Sequence, residues 1–152
     1  MKRPSARRAI NSVLDQTIPT ICVTQVDQME DGAGITRNLG VRKVITEWVG
    51  FLDDDDTLDH RYHEWLNEEC KDYDMLIFNM ARPEGLILPG HTNVDELVYN
   101  WVGISFALKT EIAKRFPFKN MISEDWDLIQ RIKEAGFKIK ISQHVAYYIR
   151  PL

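Results

Sequence analysis

Apolar residues along the chain fall either at three- and four-residue intervals or in short unbroken runs, and the two patterns alternate. Residues 5–16 set Ala6, Ala9, Ile10, Val13 and Leu14 on one side, which predicts a helix with Pro4 and Ser5 as start signals. Residues 21–26 are short and β-branched, end at Asp27, and predict a strand. Asp31 to Gly34 reads as a loop. Residues 36–46 predict a helix, apolar at Leu39, Val41, Val44 and Ile45 and basic at Arg37, Arg42 and Lys43. Gly40 inside it costs about 1 kcal/mol against Ala, so a close packing contact is expected there. A central strand at 48–52 and a helix at 58–70 follow, then a buried strand at 75–80.

The second half carries shorter elements. Residues 82–92 hold two Pro and two Gly and predict a loop or distorted hairpin, with a short helix at 94–101. Residues 103–108 alternate as a strand, and a short helix at 110–116 stops at Pro117. Ser123 is placed to cap a helix over 124–135 that Gly136 ends. An edge strand is expected at 137–141 and a last apolar run at 145–149. The order predicts one α/β domain, a sandwich whose sheet is largely parallel in its first half. No repeat, linker or low-complexity tract interrupts it.

Composition narrows the class. The 152 residues are 44% hydrophobic and 28% charged, as in an ordinary globular domain with room for a sizeable core. The net charge of −4 argues against a nucleic-acid binder. No apolar run is long enough to span a membrane, and the basic start (Lys2, Arg3, Arg7, Arg8) lacks the apolar region of a secretory signal. Cys22 and Cys70 have no metal spacing and fit a reducing cytoplasm.

The candidate chemistry centres on Asp53-Asp54-Asp55-Asp56, directly after an apolar strand. Four carboxylates cannot be held unpaired in a core, so the chain must surface at Asp53, at the strand end where α/β sheets bind ligands. If the chain stays extended, Asp53 and Asp55 share one face and Asp54 and Asp56 the other. Two hard oxygen donors on one face suit Mg²⁺ or Mn²⁺, with substrate phosphates completing the shell. The plain alternative is a solvated acidic turn.

Three further groups carry candidate roles. Glu124-Asp125 in the first turn of a helix complements its dipole, or supplies a general base for an acceptor hydroxyl. Arg37 after the glycine loop is either a surface arginine or a grip for phosphate or base. His144 is either structural or a further metal ligand if the last strand folds back to the acid cluster.

Three separated pieces together resemble the family 2 glycosyltransferases of the GT-A fold. Arg8-Ala9-Ile10-Asn11-Ser12-Val13-Leu14-Asp15-Gln16-Thr17 is similar to that family's first helix. Gly34-Ile35-Thr36-Arg37-Asn38-Leu39-Gly40, followed by Trp48 to Asp56, resembles its Arg-Asn-x-Gly helix running into the Phe-Leu-Asp-x-Asp-Asp metal motif. Glu124-Asp125-Trp126-Asp127-Leu128, through Arg131, Gly136 and Lys138, resembles its Glu-Asp acceptor-base motif.

The resemblance implies a GT-A-like three-layer α/β/α sandwich with a mixed, largely parallel sheet. It further implies metal-dependent, inverting transfer of a sugar from a nucleotide-diphosphate donor, a UDP-sugar first, to a hydroxyl acceptor, a saccharide. Residues 1–80 would form the nucleotide-binding half and 81–152 the acceptor and catalytic half. Asp55 and Asp53 would bind Mn²⁺ or Mg²⁺, with His144 as a further candidate. Asp53, Asp54, Asp27 and Arg37 would contact the donor, Asp27 at its base. Asp125, beside Glu124, would deprotonate the acceptor.

The family opens with a strand ahead of its first helix, whereas only Met1-Lys2-Arg3 precede Pro4-Ser5 here, so that strand is expected to be absent or reduced. A second chain, as in a homo-oligomer, would be one way to complete the sheet. The Gln-x-x-Arg-Trp motif of processive members is absent. Two rivals stand beside this reading. One is a haloacid-dehalogenase-like phosphatase with Asp53 as nucleophile and Asp55 as acid/base. The other is a domain that binds a nucleotide without turnover.

Overall fold

The computed structural model describes residues 4–150. Five helices are α1 (Pro4–Leu14), α2 (Ala33–Val41), α3 (Tyr62–Glu69), α4 (Thr110–Arg115) and α5 (Glu124–Glu134). Six strands are β1 (Trp48–Gly50), β2 (Thr57–Leu58), β3 (Met75–Ala81), β4 (Ile87–Leu88), β5 (Phe106–Lys109) and β6 (Ile139–Tyr148).

The centre of the molecule is β3, whose run Met75 to Met80 is no more than 3% exposed. Such a strand needs cover on both faces, and alternation sorts its side chains between two layers. Met75, Ile77 and Met80 enter the larger core with Val41 of α2, Ile112 of α4 and Leu128, Ile129 and Ile132 of α5. Leu76 and Phe78 face the other way, against Tyr62 and Leu66 of α3. The result is three layers, with helices on either side of a sheet ordered β1-β5-β3-β6-β2, and β4 hairpinned onto β3.

The sheet is mixed, as expected, but its parallel part is smaller. Among the described residues only β3 and β6 pair in parallel, and the other four pairings are antiparallel. The strand before the acidic run is not central. β1 lies at the edge of the sheet, paired with β5. Residues 21–26 form no strand, and Ile21 and Val26 are 63% and 61% exposed. Their β-branched composition suits a strand, but strand propensity becomes structure only through a paired neighbour.

The two predicted C-terminal strands are one, β6, with its register against β3 shifting around Asn79. The buried Asn79 amide donates to the Ser142 carbonyl (3.0 Å) and accepts from Gly90 N–H (2.7 Å), which keeps the polar group satisfied at the irregularity. The helix expected at 94–101 is a single 3-10 turn, Val94–Glu96. α2 ends at Val41, and Ile45 beyond it is 88% exposed. Ser123 is not a side-chain cap. It takes a left-handed conformation (φ 68°), and its hydroxyl pairs instead with that of Tyr99 at 2.5 Å. Gly136, at φ 86°, stops α5 as expected. No helix among the described residues is long and apolar enough to cross a membrane.

Candidate active site

The acidic run does not stay extended. It closes a turn in which Asp56 N–H donates to the Asp53 carbonyl (3.2 Å), and this replaces the expected two-faced alternation. The turn gives each carboxylate a separate environment. Asp53 points to α2, where Arg37 Nη2 donates to its Oδ1 at 2.8 Å. Asp54 is exposed at the tip. Asp55 Oδ2 accepts from Arg150 Nε at 3.1 Å. Asp56 is 6% exposed and structural: the Tyr147 hydroxyl donates to its Oδ2 (2.9 Å) and Arg150 N–H to its Oδ1 (2.8 Å). Burial pushes the Asp56 carboxyl above its ordinary range despite those two donors.

Three elements hold this turn. From β6, the Tyr147 hydroxyl bridges two points of it, donating to Asp56 while accepting from Asp53 N–H at 3.2 Å. Burial, together with Asp53 and Asp56, pushes the phenol far above its ordinary range, so it stays a donor. From α1 and the residues just after it, the Ser12 hydroxyl accepts from Leu58 N–H (3.1 Å), and Gln16 donates to the Asp59 carbonyl (2.7 Å) and accepts from His63 N–H (3.0 Å). The Ser-Val-Leu-x-Gln-Thr helix thus fastens the chain just beyond the carboxylates. Tyr148 adds a hydrogen bond to Asp59 (2.9 Å).

From α2, Arg37 reaches the turn and α5 at once. Its guanidinium donates to Asp53 through one nitrogen and to Glu124 Oε1 through another, and lies over the Phe118 ring at 5.6 Å from the centroid. Burial would lower its pKa, but Asp53 and Glu124 hold it above its ordinary value. The next residue, Asn38, pairs with the backbone of Phe118 in both directions, at 2.8 Å each. Gly34 permits the approach, since a Cβ there would lie 2.6 Å from the Lys119 carbonyl oxygen. The close glycine contact is at Gly34, not at Gly40, where a Cβ would meet only the Gln25 Cβ at 3.6 Å.

Glu124 and Asp125 take different roles. Glu124 is committed to Arg37. Asp125 is half-buried, accepts from Trp126 N–H at 2.7 Å, and faces Gly103. Burial raises its pKa; Trp126 N–H opposes the shift, Glu124 adds to it and Arg37 opposes it. A carboxylate so placed is a better base than one in water.

The structure therefore joins Asp53, Arg37 and Glu124 directly, with Asp55 on the same turn paired to Arg150, and Asp125 beside Glu124. It does not bring His144 there. His144 shares the α3-facing side of β6 with Ala146, stacks on Trp65 (4.3 Å between centroids) and lies 3.3 Å from Glu69. Asp27 closes the loop before α2, its two oxygens accepting from Asp31 N–H (2.9 Å) and Gly32 N–H (3.0 Å). Among the described residues no group of three or more His, Cys, Asp or Glu converges as a metal centre. A Mg²⁺- or Mn²⁺-type ion held through one or two carboxylates plus donor phosphates needs no such group. Asp53 and Asp55, each 44% exposed in the side chain, fit that smaller donor set.

Sequence reasoning missed Ser12, Gln16 and the double contact of Tyr147 as supports. Only the recurrence of Ser and Gln in the resembling first helix carried a signal for them.

No protein-family profile matches the chain, and neither does any curated protein. Solved structures do. TarS 1–349 of S. aureus, a glycosyltransferase, in complex with UDP-GlcNAc superposes with a TM-score of 0.74 at 16% identity, covering 97% of this chain and 55% of that one. Its complex with UDP gives 0.73 at 16% identity over 94% of this chain and 55% of that one. A longer S. aureus TarS structure gives 0.70 at 17% identity over 99% and 35%. The chain spans about half the length of the 1–349 structures it matches. The chain has the GT-A-like glycosyltransferase fold, a three-layer α/β/α sandwich on a mixed sheet.

Proposed function

We propose that this chain is the donor-binding and catalytic domain of a metal-dependent, inverting glycosyltransferase. It moves a sugar from a nucleotide-diphosphate donor, a UDP-sugar, to a hydroxyl of a saccharide acceptor. The observation that carries this reading is the Arg37 bridge, which ties the acidic turn at Asp53 to Glu124 and so sets Asp125 beside the donor end of the site. The solved structures that share the fold include complexes with UDP and UDP-GlcNAc.

In this reading Asp55 and Asp53 hold Mg²⁺ or Mn²⁺. Asp53 and Asp54 line the ribose and diphosphate, and Asp27 lies at the base end of the donor. The ion, when bound, neutralises the leaving diphosphate. Asp125 accepts the proton of the acceptor hydroxyl as its oxygen forms a bond to the anomeric carbon. The bond from that carbon to the diphosphate oxygen breaks in the same displacement, the nucleotide diphosphate leaves, and the configuration inverts. Arg37 and Glu124 position the two halves of the site. Cys22 and Cys70 are free thiols, which fits work in a reducing cytoplasm.

The test is release of UDP from UDP-GlcNAc, with Mn²⁺ and a panel of saccharide acceptors, in the wild-type chain and in Asp125→Asn. The reading expects acceptor-dependent release that falls about 100- to 10,000-fold in the variant, the range of a lost general base. Release that is equal in the two proteins would contradict the assignment of Asp125. Binding of UDP without any release would favour the non-catalytic nucleotide-binding domain.

A further inference from the structure

The end of β6 returns a cation to the acidic turn. Arg150 N–H is pinned to the buried Asp56 carboxylate at 2.8 Å, and the residue adopts φ 42°. The other oxygen of Asp56 is held by Tyr147, so the backbone at residue 150 is fixed against the turn from a buried anchor. The side chain is free by comparison: it is 75% exposed, yet its Nε lies 3.1 Å from Asp55 Oδ2. An exposed guanidinium on a fixed stalk therefore sits on the carboxylate proposed to hold the metal.

We propose that Arg150 is an internal counter-ion for Asp55, and that its guanidinium and a divalent cation compete for the same carboxylate. This rests on the reading of Asp55 as a metal ligand given above. The physical reason is charge. Asp53, Asp54, Asp55 and Asp56 are consecutive, and Arg37 is already shared between Asp53 and Glu124. An uncompensated Asp55 would repel its neighbours, and Arg150 relieves that until a cation takes its place. The pair is solvent-exposed and so is weak enough to open. Its closed population still lowers the apparent cation affinity by the fraction of time Asp55 is taken.

The test is a titration of Mn²⁺ alone, followed by the loss of the free-ion paramagnetic resonance signal. It uses the wild-type chain, Arg150→Gln, Asp55→Ala, the double variant, and Arg61→Gln. The last removes an equal charge at the start of α3, where Arg61 pairs with Glu64 rather than with the acidic turn. Circular dichroism checks that each variant folds. The proposal expects Arg150→Gln to bind Mn²⁺ roughly three- to tenfold more tightly than wild type. It also expects Asp55→Ala to remove the site in both backgrounds, and Arg61→Gln to change nothing.

Unchanged affinity in Arg150→Gln, with the site still lost in Asp55→Ala, overturns this proposal and leaves the donor-site reading standing. An equal gain in Arg61→Gln reduces the effect to bulk charge and also overturns it. Mn²⁺ binding that ignores Asp55 overturns the metal assignment and this proposal with it, and no binding of the ion alone to any variant overturns this proposal only, because donor phosphates complete the shell in that assignment.

Discussion

Arg37 faces two carboxylates, and that decides what its substitution does. Asp53 and Glu124 take separate nitrogens of one planar group, a geometry lysine cannot reproduce. Arg37→Lys should lose both the bridge and activity, and Arg37→Ala should also destabilise the fold by about 2 kcal/mol, because it leaves Glu124 poorly solvated and unpaired. Urea denaturation of the two variants checks this, and a change near zero for Arg37→Ala would mean the bridge holds nothing. Asp125 allows a pH test. Its pKa is raised chiefly by burial, and only its ionised form can take a proton. Activity should therefore climb with pH through a midpoint higher than that of a solvated aspartate, and this limb should vanish in Asp125→Asn. A rate profile from pH 4 to 8 at saturating donor reads it directly.

At the scale of elements, two glycines on the same helix should respond with opposite signs. Gly→Ala in a helix ordinarily stabilises by about 1 kcal/mol. Gly40→Ala should follow that rule, since only the Gln25 Cβ lies nearby, at 3.6 Å. Gly34→Ala should instead destabilise by roughly 1–3 kcal/mol, because its Cβ would be 2.6 Å from the Lys119 carbonyl and would push α2 off the loop before α5. Paired thermal melts distinguish the two. Tyr147→Phe keeps the core packing of β6 but strips a donor from Asp56 and an acceptor from Asp53 N–H. It should cost about 1–3 kcal/mol and loosen the acidic turn.

The elements also show what sequence can and cannot specify. The helices were legible because their periodicity is local: α3, α4 and α5 lie within the residue ranges expected of them, and α1 begins one residue before its own. Strand position was not, because it depends on distant partners. The antiparallel pairing of β1 with β5, which makes the acidic strand an edge, joins residues nearly sixty positions apart in the chain. Residues 21–26 carry strand propensity without a partner to express it. The break that splits the apolar pattern of β6 is a register shift, not a strand end.

At the scale of the whole molecule, the site is three elements meeting at one turn, and the sequence named residues that meet there. Asp53, Arg37 and Glu124 were all legible, and the fold joins them directly. Arg37, expected as a donor contact, and Glu124, expected beside the acceptor base, also brace each other. His144 was expected as a ligand if the last strand folded back to the acids; β6 does reach them, but alternation along it turns His144 to the opposite face, against Trp65. Tyr147, Ser12 and Gln16 were not legible as supports, because each acts through a backbone group that composition does not reveal.

The central claim is that this turn binds a nucleotide diphosphate through a metal. The most direct measurement is thermal unfolding of the chain with UDP, with Mn²⁺, with both together, and with neither, alongside Asp55→Ala. At about a hundred times its dissociation constant a ligand stabilises by about 2.7 kcal/mol, a shift of several degrees for a domain of this size. The account predicts that UDP raises the melting temperature only when Mn²⁺ is present, and that Asp55→Ala abolishes the shift. No shift with UDP under any condition, or a shift indifferent to both Mn²⁺ and Asp55, would contradict it.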